Sequence, residues 1–279
     1  MLFMSAILGV CLANHEPVLE PLWRTDGLDA PESVIAHGDT GYIVSNINGE
    51  PAERNGRGYL ARLDAQGRIA DPAWVDGLDA PKGLAIAGSR LFVTDIDTLV
   101  EIALDTGEIL ARHPVEGALF LNDAAAHDGR IYMTDSRTDR IYVHDGTRPV
   151  LWLEDARLDG ANGLWPEDGR LLVTTMARGE VLAVDWQDRS IRSLVDGLVN
   201  ADGIAPAATG GYVISQWPGD VVHWREGDAP VPMITRQDPP VLMNDLTVVE
   251  DVVVIPHLRP GAVSAWRIGC RRSGSLTLK

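Results

Sequence analysis

Six polar residues recur through this 279-residue chain at nearly constant spacing: Glu32, Lys82, Asn122, Asn162, Asp202 and Asn244. Each sits in the middle of a short related segment, such as Pro31-Glu32-Ser33-Val34, Ala161-Asn162-Gly163-Leu164 or Ala201-Asp202-Gly203-Ile204. None of the six is apolar. Two carboxylates and several amides brought to one point would offer the oxygen donors that hold a hard divalent cation such as Ca2+ or Mg2+. Without a cation, Glu32 and Asp202 would repel one another in a confined site, and one pKa would rise. A plainer reading stands beside this one, since Asn and Asp before Gly are ordinary turn formers. It accounts for Asn162 and Asp202 singly, but not for Glu32 or for polarity at all six places.

For these residues to meet, repeated elements must carry them. Their positions (32, 82, 122, 162, 202, 244) step by 50, 40, 40, 40 and 42 residues. The long first step holds Asn48 to Gly58 (NGEPAERNGRG), a polar, Gly-rich insertion that reads as one loop. After each central residue come a short apolar run, a turn and a second β-rich run. The second runs are Gly41–Ser45, Arg90–Thr94, Arg130–Thr134, Arg170–Thr174, Gly211–Ser215 and Val252–Pro256. A third alternating run follows, and a fourth precedes the next repeat. Four short strands per repeat of about forty residues is the signature of a propeller blade. The expected fold is therefore all-β, a six-bladed β-propeller, because a β-sandwich shows no such self-similarity.

Ring closure is legible too. Leu22–Pro31 (LWRTDGLDAP) copies Ala73–Pro81 (AWVDGLDAP), the fourth strand and exit of the first blade. The sixth repeat has three strands and lacks a fourth. The N-terminal strand is therefore expected to complete the last blade, with Val18 to Arg24 against Val263–Arg267, covering an otherwise open edge. Residues 15–269 form one propeller on this reading, and 270–279 a polar tail.

Equivalent positions in a propeller ring one axis, so the six central residues are expected at one mouth of the channel. A second ring follows 13 or 14 residues later: Asn46, Asp95, Asp135, Thr175, Gln216 and His257. The second strand returns antiparallel to the first, which brings these residues to the same mouth as a pocket wall. For Asp95 and Asp135 a turn-capping role after Thr is the competing reading. Trp74, Trp152 and Trp266 fall on outer strands and suit packing between blades.

Composition excludes several functions. Asp and Glu number 40 against 24 Lys and Arg, a formal net charge of -16. No excess of cations exists to displace phosphate counterions, so neither nucleic acid nor an anionic membrane is expected as partner. Two cysteines, Cys11 and Cys270, without any Cys-x-x-Cys, argue against a thiolate zinc site or a disulfide framework. No serine-hydrolase elbow, His-Glu-x-x-His pair, phosphate loop or dinucleotide fingerprint occurs. Residues 1–13 (MLFMSAILGVCLA) are apolar and end in small residues, like the core of a secretory signal but without leading basic residues. A periplasmic or secreted location is the expectation, with a cytoplasmic one as the alternative if this segment is a terminal strand.

The motifs together resemble the SMP-30/gluconolactonase/luciferin-regenerating-enzyme family of six-bladed propellers, over roughly Pro21 to Ile268. The resemblance implies that Glu32, Asn162 and Asp202 ligate one divalent metal, Ca2+ before Zn2+, Mg2+ or Mn2+. It implies that Asn122, in Leu121-Asn122-Asp123, is an additional Asn on the substrate side. One departure matters. Sugar-lactone members usually carry an Arg two residues before the Asn-Asp pair, where this chain has Phe120. A less polar lactone or ester is therefore expected in place of a sugar lactone.

The implied chemistry is metal-assisted hydrolysis of a small-molecule lactone or ester. Asp202 would act as ligand and base, and Asn122 and Lys82 would stabilise the oxyanion. Phe120, Asn46, Asp135, Thr175, Gln216, Asn244 and His257 would line the substrate pocket. Two rivals remain at this point: a non-catalytic binding propeller with a structural metal, and a calcium-dependent phosphotriesterase-like hydrolase.

Overall fold

The computed structural model describes residues 15–235 and 240–272. The signal-like segment 1–13 lies outside them. Among the described residues, six β-sheets account for nearly all regular structure, with short 3-10 turns at Gly38–Thr40 and Ala156–Leu158. The first blade comprises Pro31–Ala36, Tyr42–Asn46, Gly58–Leu63 and Ile69–Leu78, paired in that order. The inner strands of the next four blades are Pro81–Ala87, Leu121–His127, Ala161–Glu167 and Ala201–Pro206. Each begins a four-stranded antiparallel meander, and the insertion from Asn48 stays irregular up to Arg57, with Gly58 opening the next strand.

Local sequence explains the hairpins. Between the first two strands of the third blade, Asp128 (φ 47°) and Gly129 (φ 71°) form a two-residue turn joining His127 to Arg130. Positive φ at both central positions gives the twist that matches two antiparallel strands, and Asp-Gly tolerates it.

The sixth blade closes as the copied segment suggests. His15–Asp26 pairs antiparallel with Ala262–Arg272, with Glu20 opposite Arg267 and Arg24 opposite Ser264. The closing strands are longer than expected, because the C-terminal one continues to Arg272, into what reads as tail in the sequence. The remainder of that tail lies outside the described residues. Cys270 on this strand is disulfide-bonded.

Among the described residues, apolar clusters fill the gap between every pair of neighbouring blades. Ile43, Leu60 and Val75 of the first blade meet Leu84, Leu91 and Val93 of the second. Val34 and Val44 meet Val254 and Val263 across the seam. Trp74, Trp152 and Trp266 pack into three of these interfaces. Burying each Leu or Val contributes about 1.5–3 kcal/mol, so the blades are held edge to edge by many small gains.

Candidate functional site

Five of the six inner strands carry the same irregularity at the ring residue. In the first blade Pro31 pairs with Asn46 and Val34 with Val44, so Glu32 and Ser33 together face the single residue Ser45. Lys82-Gly83 face Thr94, Asn122-Asp123 face Thr134, Asn162-Gly163 face Thr174, and Asp202-Gly203 face Ser215 in the same way. Such a bulge bends the strand and re-aims a side chain that would otherwise follow the pleat.

Hydroxyls at the facing positions satisfy the backbone groups that the bulges release. Ser45 Oγ accepts from the Ser33 amide at 3.0 Å, and Ser215 Oγ from the Gly203 amide at 2.9 Å. Thr134 Oγ1 accepts from the Asp123 amide at 3.0 Å and donates to the Asn162 carbonyl of the next blade at 2.8 Å. Thr94 donates to the Asn122 carbonyl at 2.5 Å, and Thr174 to that of Asp202. In the sixth blade the corresponding residue is Pro256, which offers no hydroxyl. There the inner strand is split into Leu242–Met243 and Thr247–Val249, with Asn244 between the pieces.

Glycine follows the ring residue where blades approach most closely. A Cβ on Gly83 would stand 2.5 Å from both the Asn122 carbonyl oxygen and the Ala124 nitrogen. No side chain fits there.

All six ring residues are buried. The Asn162 side chain hydrogen-bonds Asp202, and the Asp202 carboxylate lies within electrostatic reach of Glu32. Burial raises the Glu32 carboxyl well above the usual range, and repulsion from Asp202 adds to this while Lys82 opposes it. Burial likewise raises Asp202, with Asp245 and Asp123 adding to the shift. Lys82 donates to the Ala80 carbonyl at 2.9 Å, and burial pushes its ammonium down to about 8. The Asn122 amide nitrogen donates to Ser136 Oγ at 3.0 Å. Asn244 Oδ1 is buried with no hydrogen-bond partner among the described residues.

Two further acids, not evident from the repeat, stand one residue further along the channel. Asp123 and Asp245 each follow a ring Asn, in the third and sixth blades. Burial raises Asp123 well above the usual range and Asp245 to about 6. Asp245 accepts a hydrogen bond from Ser33, and Asp123 Oδ2 accepts one from the Leu164 amide at 2.6 Å. Both line a cavity of about 410 Å3 with Val34, Leu84, Leu164 and Ile204. Its walls come from residues that follow the ring positions, so it opens toward the opposite end of the channel. The signal was present in the sequence: the residues after the ring positions are Ser33, Gly83, Asp123, Gly163, Gly203 and Asp245, all polar or glycine.

The second ring is buried, and Asp95, Asp135 and Gln216 are tied to the loops that enter their blades. Asp95 accepts from the amides of Asp79 and Ala80 at 3.0 and 2.7 Å. Asp135 accepts from those of Leu119, Phe120 and Arg137 at 2.6, 3.1 and 2.9 Å. Gln216 Oε1 takes the Val199 amide at 2.6 Å, and Thr175 Oγ1 the Glu180 amide at 3.1 Å. Asn46 donates to the Val44 carbonyl at 3.1 Å. These contacts pin backbone. His257 lines a separate cavity of about 300 Å3 at the seam, beside Ser264, Trp23 and Trp266. Phe120 remains at the mouth, its ring 4.4 Å from Lys82 Nζ and 4.5 Å from the Arg137 guanidinium carbon.

Apart from the Lys82 ammonium, which repels a cation, the ring side chains offer oxygen donors. Among the described residues no three His, Cys, Asp or Glu side chains group closely enough to hold a metal alone. A cation here would therefore rely on amide oxygens beside Glu32 and Asp202. Hard ions accept that mixture, and the unpartnered Asn244 Oδ1 adds a further oxygen to the ring.

The fold and its axial ring define a six-bladed β-propeller with an acidic, amide-rich channel. Comparison with known protein families and with curated proteins returns no match. Solved structures share the architecture. A gluconolactonase from Xanthomonas campestris is 18% identical, with TM-score 0.64, over 95% of this chain and 93% of that one. Streptogramin B lyase is 10% identical, with TM-score 0.64, over 92% and 98%. The WD40 propeller domain of Doa1 is 12% identical, with TM-score 0.62, over 89% and 96%. At these identities the likeness shows the fold.

Proposed function

We propose that this protein is a divalent-metal-dependent hydrolase of a lactone or small ester, acting where Glu32, Asn162 and Asp202 meet. One observation carries the reading: the buried Asp202 carboxylate hydrogen-bonds the Asn162 side chain and lies within electrostatic reach of the buried Glu32. Buried acids are costly, Lys82 supplies only one positive charge beside them, and a divalent cation would supply more. Fold similarity to a gluconolactonase adds support, although the same architecture serves a lyase and a WD40 domain.

Glu32, Asn162 and Asp202 would hold the ion, Ca2+ by donor type. When bound, it supplies Lewis-acid polarisation and a lowered pKa for coordinated water. Asp202 would accept the proton of an attacking water, a role that contributes about 10²–10⁴-fold. Lys82 keeps ammonium protons beyond the one given to Ala80 and supplies positive charge near the developing oxyanion. Asn122, held by Ser136, offers an amide group on the same ring.

The test is ring opening across a panel of lactones and phenyl esters with chelator-stripped protein, before and after Ca2+ is restored. Restored activity that Asp202→Asn abolishes supports the reading. Full activity without metal, or no hydrolysis of any panel member with Ca2+ present, contradicts it.

A further inference from the structure

The residue expected to give the mouth an apolar wall instead carries two cations. Lys82 Nζ and the Arg137 guanidinium lie 4.4 and 4.5 Å from the centroid of the same Phe120 ring. Both contacts fall within the range of cation–π attraction. The arrangement is fixed from below. The buried Asp135 carboxylate takes the backbone amides of Phe120 and Arg137 at 3.1 and 2.9 Å, so one anchor sets both residues.

The two cations differ in what surrounds them. Lys82 is 1% exposed, and the charges of Glu32 and Asp95 act on it. Arg137 is exposed, and among the described residues no carboxylate lies within ion-pair distance of its guanidinium. In a chain with 40 acidic side chains against 24 basic ones, an arginine left without an acid at an axial mouth stands out. Its face is occupied by the ring, which leaves the N–H edge open.

We infer that Arg137, laid on Phe120 beside Lys82, is a specificity-determining residue that receives a carboxylate of the substrate. The preferred substrate class is then a lactone or ester bearing a free carboxylate. This rests on the hydrolase reading of the site and deepens it. A planar guanidinium with a free edge matches a carboxylate through two parallel hydrogen bonds, and stacking on an aromatic ring pre-orients it. The buried Lys82 charge adds a favourable potential for the same anion. The Arg expected at position 120 is thus replaced by a guanidinium delivered from another loop, with Phe120 as its shelf.

The test compares 5-oxotetrahydrofuran-2-carboxylate with its primary amide as substrates, on the full chain with Ca2+. The carboxylate should be favoured in kcat/KM by about ten- to hundred-fold, as a charge-assisted hydrogen-bond pair implies. Arg137→Gln should erase that preference through KM rather than kcat, and Phe120→Leu should reduce it. Equal turnover of both lactones, unaffected by Arg137→Gln, overturns the inference while the hydrolase reading stands. A second arm does not depend on hydrolysis. Tetrahydrofuran-2-carboxylate, which has no lactone to open, should bind the wild type in a calorimetric titration and bind Arg137→Gln at least tenfold more weakly. If neither lactone opens but this difference holds, the carboxylate subsite stands without the hydrolase; if the two proteins bind it equally, the subsite fails.

Discussion

Thr134 of the third blade donates its hydroxyl to the backbone carbonyl of Asn162 in the fourth, at 2.8 Å. The same oxygen accepts the Asp123 amide at 3.0 Å. One buried hydroxyl therefore ties two consecutive bulges, and with them two candidate site residues. Thr94 and Thr174 repeat the link to Asn122 and Asp202.

Thr134→Val keeps the side-chain shape and removes both hydrogen bonds, leaving a buried amide and a buried carbonyl without a partner. The expected cost is about 2 kcal/mol, within the range for unsatisfied buried groups. For a domain of this size that lowers Tm by roughly 4–8 °C. Thr147→Val, on an exposed turn, should change Tm by much less. Equal Tm values for the two variants would show that the interblade hydroxyl contributes nothing.

Closure of the ring by His15–Asp26 makes a prediction about truncation. Deleting every residue before Gly27 exposes the whole edge of the 11-residue strand Ala262–Arg272. An unpaired edge of that length favours aggregation. The truncated chain should lose its cooperative thermal transition and elute as aggregate. A monodisperse product with a transition like that of the full chain would mean that the closing strand is dispensable.

How much of this was legible in the sequence follows from what each feature depends on. Blade number and closure depend on a period and on a copied segment, both visible along one chain. The convergence of Glu32, Asn162 and Asp202 on one ring follows from that period. The bulges depend on pairing register between strands, and the recurring Thr or Ser gains meaning only once it faces two residues. Asp123 and Asp245 were hidden behind the Asn that each follows. The contact of Arg137 with Phe120 crosses between loops with no sequence spacing to announce it. For the second ring, chain position does not say whether a carboxylate faces a channel or its own loop, and the amides bound by Asp95 and Asp135 decide it.

His257 gives a pH prediction independent of any cation. Its Nε2 lies 2.7 Å from Ser264 Oγ, which also accepts the Trp266 indole N–H at 2.7 Å. The serine proton is thus free to point at a neutral imidazole. Burial lowers the His257 pKa from 6.5 to about 4, and the Arg24 charge adds to this. Between those values the folded state binds fewer protons than the unfolded chain, so stability is lost as pH falls through the window. At 1.36 kcal/mol per unit the contribution reaches at most roughly 3 kcal/mol. Urea midpoints of wild type and His257→Gln should converge, or cross, on going from pH 7 to pH 4.5. Parallel midpoints across that range would place the titration elsewhere.

The central claim is that Glu32, Asn162 and Asp202 form a cation site in the channel, and calorimetric titration of chelator-stripped protein with Ca2+ tests it most directly. The account predicts one saturable site per chain at pH 7, weakened at least tenfold in Asp202→Asn and in Glu32→Gln. It also predicts proton release on binding, because burial and repulsion hold these carboxyls above their usual range. No saturable binding of Ca2+ to a folded wild-type chain, or equal binding by the two variants, would contradict the account.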